Sequence, residues 1–170
     1  MSADPATVPV AVRRHHESDR PHLLRFLEMA MLETYPDLRA LPRSELRERV
    51  EAEFAHYFAL PDKEIWVAEA QGGQVAGCLW AMASYHPVTG RRDLFIVNVA
   101  VAPEFRGLGL ARRLFGLAVD AASAAHIPYV RLFVNPANQA AYRLYEELGF
   151  AAQTHEMRLE VPGPASDPRK

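Results

Sequence analysis

Residues 99–113 read VAVAPEFRGLGLARR, and the fold of the chain turns on this stretch. It closes an almost wholly apolar, β-branched run, LFIVNVAV at residues 94–101, in which Asn98 is the one polar side chain. Such a run suits a strand covered on both faces. The pattern breaks at Pro103, tightens through Gly107 and Gly109, and passes without a gap into a helical periodicity. A strand feeding a glycine turn that opens a helix is a place to hold phosphate. The first helical turn leaves N–H groups unpaired, the dipole is positive there, and glycine lets an anion reach the backbone. An ordinary strand-to-helix connection has the same outline, so the stretch needs its context.

Downstream, residues 109–126 set Leu110, Leu114, Leu117, Ala118 and Ala121 on one side of a helix. PYVRLFV at 128–134 reads as a strand, 138–148 as a helix with Gly149 at its C′ position, and 151–161 as a last, alternating strand. Upstream, residues 8–14 form a first strand. A helix over 19–33 carries an apolar stripe of Leu23, Leu24, Leu27, Met31 and Leu32, and Tyr35-Pro36-Asp37 ends it. A second helix starts near Ser44 as N-cap, buries Leu46, Val50, Phe54 and Tyr57 or Phe58, and stops at Pro61. Strands at 64–70 and 74–83 flank the hairpin signal Gly72-Gly73. The order β-α-α-β-β-β-α-β-α-β predicts an α+β (α/β) sandwich: a mixed, largely antiparallel sheet with helices on both faces.

Length and composition set bounds. A chain of 170 residues, 49% apolar and 24% charged, suits one globular domain. We expect that domain at 8–161, with a flexible N-terminus at 1–7 and a flexible tail at 162–170. The formal charge of −2 offers no global attraction to nucleic acid or anionic membrane, and no apolar run approaches the ~20 residues of a membrane span. The lone Cys78 excludes an intrachain disulfide and fits a reducing compartment; the expected location is cytoplasmic. The seven histidines lack zinc-like spacing, so no metal is expected.

A second stretch, NQAAYRLYEELGF at residues 138–150, has the spacing N-x-x-A-x-x-x-Y-x-x-x-G-F. Together with V-A-V-x-P-x-x-R-G-L-G-L-A before it, it resembles the GNAT-type N-acetyltransferases. Residues 106–111 match that family's pyrophosphate motif, [Q/R]-x-x-G-x-[G/A], and the resemblance is specific over 94–150. It implies a GNAT-like sheet of six to seven strands with a splayed central pair, 94–101 against 128–134. It implies acetyl-CoA as acyl donor, with its pantetheine arm in the V beside the backbone of Val99, Ala100 and Val101. The pyrophosphate would rest on the N–H groups of Arg106, Gly107, Leu108, Gly109, Leu110 and Ala111. Asn138 would serve as cofactor-side asparagine and helix N-cap together, and Asn135 could act similarly. Arg112 and Arg113 either add charge near the phosphates or form a solvated helix face.

The resemblance implies Tyr145 as the general acid that protonates the departing thiolate. Periodicity alone makes the same residue a core aromatic, because Ala141, Leu144, Tyr145 and Leu148 lie on one stripe. Many relatives carry a glutamate on the central strand. Here it reads FIVNVAV, with Val97 and Asn98 and no acid. Glu33, Asp37, Glu69, His86 and Asp93 are the candidate bases, with relay through water as the alternative. Cys78 within VAGCLWAMA reads as a small buried hydrophobe rather than a nucleophile.

The implied acceptor is a small-molecule amine or a protein amino group, acetylated by direct attack in a ternary complex. Its specificity is expected in the loops 33–41 and 84–92. A catalytically silent acyl-CoA-binding sensor is the alternative reading. The short C-terminal region suggests that a neighbouring chain completes the last strand, so a homodimer is expected.

Overall fold

The computed structural model describes residues 9–157 and 159. Five strands form one sheet in the order β1-β2-β3-β4-β5: β1 (Val10–Arg14), β2 (Lys63–Ala70), β3 (Val75–Tyr85), β4 (Arg92–Val101) and β5 (Val130–Arg131). Neighbours are antiparallel except β4 and β5, which are parallel. The helices are α1 (Arg20–Thr34), α2 (Arg43–Ala59), α3 (Leu110–Ala124) and α4 (Gln139–Glu147).

The helices divide between the two faces as their apolar stripes require. Leu23, Phe26 and Leu27 of α1 and Leu46, Val50 and Phe54 of α2 bury against Ile65, Val67, Cys78 and Trp80 on one face. Leu114, Phe115, Ala118 and Ala122 of α3 pack on Trp66, Leu79, Leu94 and Ile96 on the other, with Tyr145, Leu148 and Phe150 from the α4 region beside them. The mixed sandwich expected from the element order is therefore the observed one.

A bulge in β4 shapes the site. Trp80 pairs with Asn98, but Ala81 pairs with Ile96, so Val97 is an extra residue without a partner on β3. An inserted residue reverses the side-chain parity of a strand and bends it. Before the bulge Leu94 and Ile96 face the α3 side; beyond it Val99 faces that side and Ala100 joins the α1–α2 core. The bend also ends the pairing with β5. Only Leu94 with Val130 and Phe95 with Arg131 are in register, after which the two strands part.

Four expectations are corrected. The sheet has five strands among the described residues rather than six to seven. The strand expected over 128–134 is paired only at Val130–Arg131, because the bulged β4 turns away from it. Residues 151–157 and 159 form no strand, and the rest of the expected 151–161 strand lies outside the described residues, as do 1–7 and 162–170. Ser44 lies inside α2, whose N-cap is Pro42 with no side-chain cap bond.

Gly77 fixes how closely β3 and β4 approach. A Cβ there would stand 2.7 Å from the carbonyl oxygen of Ala100 and 3.3 Å from Cα of Val101, both backbone atoms that cannot swing aside. Gly77→Ala is expected to cost on the order of 1–3 kcal/mol through forced strand separation. Thermal unfolding reads this loss. A melting temperature equal to wild type would mean that β4 gives way freely.

Candidate active site

The parted strands form the walls of a cleft of about 480 Å³. Ile96 to Val101 line one side and Leu132 to Asn135 the other. Arg106, Gly107, Gly109, Leu110, Ala111 and Arg112 close the end toward α3, Met29, Ala30, Glu33 and Thr34 reach in from α1, and α4 adds Ala140, Ala141, Leu144 and Tyr145. Of the expected site residues, Val99, Ala100, Val101, Arg106, Gly107, Gly109, Leu110, Ala111, Asn138 and Tyr145 all lie on this lining. Leu108 does not; its side chain packs against the α1–α2 core.

The turn before α3 leaves a run of backbone N–H groups free of protein acceptors among the described residues. Gly107 (φ 80°) and Gly109 (φ 72°) hold left-handed backbone that a residue with a Cβ adopts at a cost. A Cβ at either position would meet nothing within 4 Å, so conformation rather than crowding calls for glycine. Arg106 N–H donates to Pro103 O at 3.2 Å, and the next N–H with a protein acceptor is that of Arg113, to Gly109 O at 3.1 Å. The amides of Gly107, Leu108, Gly109, Leu110, Ala111 and Arg112 have no protein acceptor among the described residues. They lie at the positive end of the α3 dipole. A diphosphate fits this set of backbone N–H donors at a helix start.

Tyr145 is set by the end of α4. Gly149 takes φ 91°, its N–H donates to Glu146 O at 2.9 Å, and Phe150 N–H donates to Tyr145 O at 2.9 Å. These are the two bonds of a Schellman cap, whose usual apolar contact joins the residue after the glycine to the one bearing the capped carbonyl. Here that contact is the Phe150 ring on the Tyr145 ring, 5.8 Å apart, with Phe115 of α3 at 5.6 Å from Tyr145. The G-F pair that follows the tyrosine in sequence thus orients it. The phenol has no hydrogen-bond partner among the described residues, and burial, with Glu33 adding to it, pushes its pKa up to about 12. It is a protonated donor at every working pH. Tyr145 belongs both to the α3-side core and to the cleft lining.

At the opposite end of α4, Asn138 Oδ1 accepts from Ala141 N–H at 3.2 Å, an N-cap bond, while its Nδ2 donates to Glu33 at 3.4 Å. Glu33 also pairs with Arg106 at 3.1 Å, and Arg106 Nε donates to Val101 O at 3.1 Å. The end of α1 is thereby clasped to both the glycine turn and α4. Asn135 adds a tether, donating from Nδ2 to Thr34 O at 2.8 Å. Arg112 pairs with Glu147 and lines the cleft; Arg113 is exposed and does not.

The candidate bases separate by position. Among the described residues Glu33 is the one carboxylate on the cleft lining. Asp93 is buried under Arg131, Glu69 accepts from Arg13 Nε at 2.7 Å, and His86 Nδ1 accepts from Val88 and Thr89 N–H within the β3–β4 loop. Asp37 sits on the short 3-10 turn Pro36–Ala40, off the lining. Of the two loops expected to govern specificity, 33–41 contributes Glu33 and Thr34, and 84–92 contributes nothing to the lining. Cys78 is fully buried, burial pushes its thiol up to about 12, and it accepts from Asn98 Nδ2 at 3.8 Å. No nucleophile stands there.

Sequence reasoning missed Phe133, which lines the cleft while 66% exposed. Alternation within PYVRLFV implied one buried face and could not signal a side chain on a strand that has lost its partner.

The model of the acetyltransferase (GNAT) family matches residues 26–150. A mycothiol acetyltransferase from Nocardiopsis dassonvillei is 47% identical over 101 residues, covering 57% of this chain and 30% of that protein. A putative acetyl transferase from Pyrococcus furiosus superposes with a TM-score of 0.76 at 20% identity, covering 90% of this chain and all of the other. A predicted acetyltransferase from Clostridium acetobutylicum, solved with acetyl-CoA, reaches a TM-score of 0.69 at 18% identity over 89% of this chain and 96% of its own. The chain spans well under half the length of the curated relatives it matches, from 30% to 42%.

Proposed function

The chain belongs to the acetyltransferase (GNAT) family, and on that premise we propose that it moves an acetyl group from acetyl-CoA to a primary amine. The observation that carries the reading is that Gly107, Gly109, Leu110, Ala111 and Arg112, whose amides have no protein acceptor among the described residues, line one cleft between parted strands together with Tyr145. When bound, acetyl-CoA supplies an acyl group activated as a thioester.

The chain's own residues do the rest. The α3 amides take the diphosphate, and the unpaired edge of β4 from Ile96 to Val101 offers backbone groups to an extended arm. Tyr145 donates its proton toward sulfur as the amine nitrogen bonds to the carbonyl carbon and the C–S bond breaks. The amine gives one proton to an acceptor on its side and Tyr145 gives one to the thiolate; return of the acceptor's proton to the phenolate through water closes the balance. Glu33, the one carboxylate on the cleft lining among the described residues, serves in that role, directly or through water. The sensor reading has less support, because a chain that only binds acyl-CoA has no use for a protonated phenol at the cleft.

Calorimetric titration with acetyl-CoA, with ADP as control, and thiol release with an amine panel test the reading together. Micromolar acetyl-CoA binding well beyond ADP, with amine-dependent thiol release, is the expected result. Binding without release from any amine would replace the enzyme by the sensor.

Glu33→Gln separates a proton acceptor from a mere clasp. The expected effect is a fall in kcat/KM of about tenfold at neutral pH. That deficit should shrink as the pH approaches the pKa of the amine, where solvent has already taken the ammonium proton and only the proton shed on bond formation is left to accept. A deficit constant across pH would assign Glu33 to holding Arg106 and Asn138 only.

A further inference from the structure

Phe133 on the cleft lining is braced from behind by an aromatic cluster built from separate parts of the chain. Phe95 of β4 and Phe133 beyond β5 stand edge to face with ring centres 5.6 Å apart, and Tyr57 of α2 lies 6.4 Å from Phe95. Arg131 fixes this pair: its guanidinium carbon is 4.6 Å from the Phe95 centroid and 5.6 Å from that of Phe133. The guanidinium is itself held from below. Its Nε donates to Asp93 at 2.8 Å, and Ser84 Oγ donates to the other oxygen of the same carboxylate at 2.7 Å. Asp93 is 3% exposed and Arg131 partly buried, so the pair is one of opposite charges shielded from water and offers no net charge to a ligand.

This support explains an otherwise costly arrangement. Phe133 leaves two-thirds of its surface in water, on a residue that lines the cleft. Its ring is nevertheless held on one side by Phe95 and Arg131. A rigid, exposed aromatic face at a cleft is a ready contact for an apolar planar group, because little side-chain freedom remains to be lost on binding. The same cleft is poor in acid. Its one carboxylate among the described residues, Glu33, is already paired with Arg106. A ligand bearing several ammonium groups would find no set of counter-charges there.

We propose that the wall formed by Phe133, braced from behind by Phe95, is the acceptor-recognition surface, and that the acceptor is a monoamine carried on an aryl body by a short aliphatic spacer. The inference rests on the acetyl-transfer reading for where the amine must point, and on the wall alone for what the amine is attached to. The aryl group stacks on Phe133 while the spacer carries the amine into the V between β4 and β5, toward Tyr145. Phe133 is a binding residue with no part in proton transfer.

The test compares phenethylamine with hexylamine, spermidine and glucosamine, both by thiol release and by calorimetric binding to the wild-type chain saturated with CoA. Phenethylamine is expected to give a kcat/KM at least tenfold above the other three. Phe133→Ala is expected to raise its KM about tenfold with a much smaller change in kcat; Phe133→Leu, which keeps apolar area without the ring, should fall between. Because Phe133 is largely exposed, neither change should compromise folding, and thermal unfolding monitors that. Phenethylamine binding that depends on Phe133 without thiol release would support the wall and overturn the acetyl-transfer reading. Thiol release that favours spermidine or glucosamine, or is indifferent to Phe133→Ala, would overturn the wall and leave acetyl transfer standing. Failure of phenethylamine to bind the CoA-loaded protein would overturn the wall as well.

Discussion

Gly109→Glu is expected to abolish acetyl-CoA binding, raising Kd at least a hundredfold, which corresponds to about 2.7 kcal/mol. Two causes act together. The residue is the N-cap of α3 at φ 72° and ψ 11°, and a side chain in that left-handed conformation costs on the order of 1–2 kcal/mol. The larger cause is electrostatic. The new carboxylate would sit among the amides of Gly107 to Arg112, where it repels a diphosphate and can satisfy the same N–H groups itself. Gly109→Ala isolates the first cause. Since an added Cβ meets nothing within 4 Å, alanine should weaken binding by no more than about tenfold, through its conformational cost alone. Calorimetry on both variants reads the difference. A glutamate variant that binds acetyl-CoA within threefold of wild type would show that the turn is not the phosphate cradle.

Tyr145→Phe is expected to lower kcat by about 10²- to 10³-fold with acetyl-CoA affinity within twofold of wild type. The phenylalanine ring keeps the packing on Phe115 and Phe150, so thermal stability should hardly move. Only the hydroxyl is lost. The raised pKa shapes the pH dependence. A phenol pushed up to about 12 remains protonated through neutral and moderately alkaline pH, and only loses its proton as the pH nears that value. No alkaline fall in rate below about pH 11 is then attributable to Tyr145. Donation from such a phenol to a thiolate is uphill by the solution values, about 10 for phenol and 8.5 for thiol. The burial that raises the phenol also disfavours a thiolate in the same cleft, so the proton moves as the C–S bond breaks and not after it. An unchanged kcat would return Tyr145 to core packing alone.

The glycine turn and the tyrosine were legible because each is a local pattern. R-G-L-G-L-A implies free amides at a helix start whatever surrounds it, and the spacing from Asn138 to Gly149-Phe150 spans one helix with both caps. What remained hidden depends on register or on distant partners. The bulge at Val97 leaves no mark in LFIVNVAV, since every position there except Asn98 is apolar on either face. The expected seven-residue strand at 128–134 keeps only two paired residues for the same reason: its partner bends away. Leu108 belonged to the motif, yet its side chain turns to the α1–α2 core. Glu33 was one of five acids or histidines of equal standing until α1 was seen to end against Arg106 and Asn138.

The amino-acid sequence by itself determined the mixed sandwich, the glycine turn with free amides before α3, the capped helix that carries Tyr145, and the likeness to acetyltransferases. These follow from hydrophobic period, glycine position and capping, which act over a few neighbouring residues. Tertiary structure alone decided that the parting of β4 from β5, which the resemblance implied, begins at a bulge at Val97, that Glu33 is the carboxylate on the cleft lining, and that Phe95, Arg131 and Phe133 meet over Asp93. The physical reason is common to all three. Strand register, the direction in which a helix ends, and contacts between side chains tens of residues apart are set by the packing of whole elements, and no local pattern carries that information.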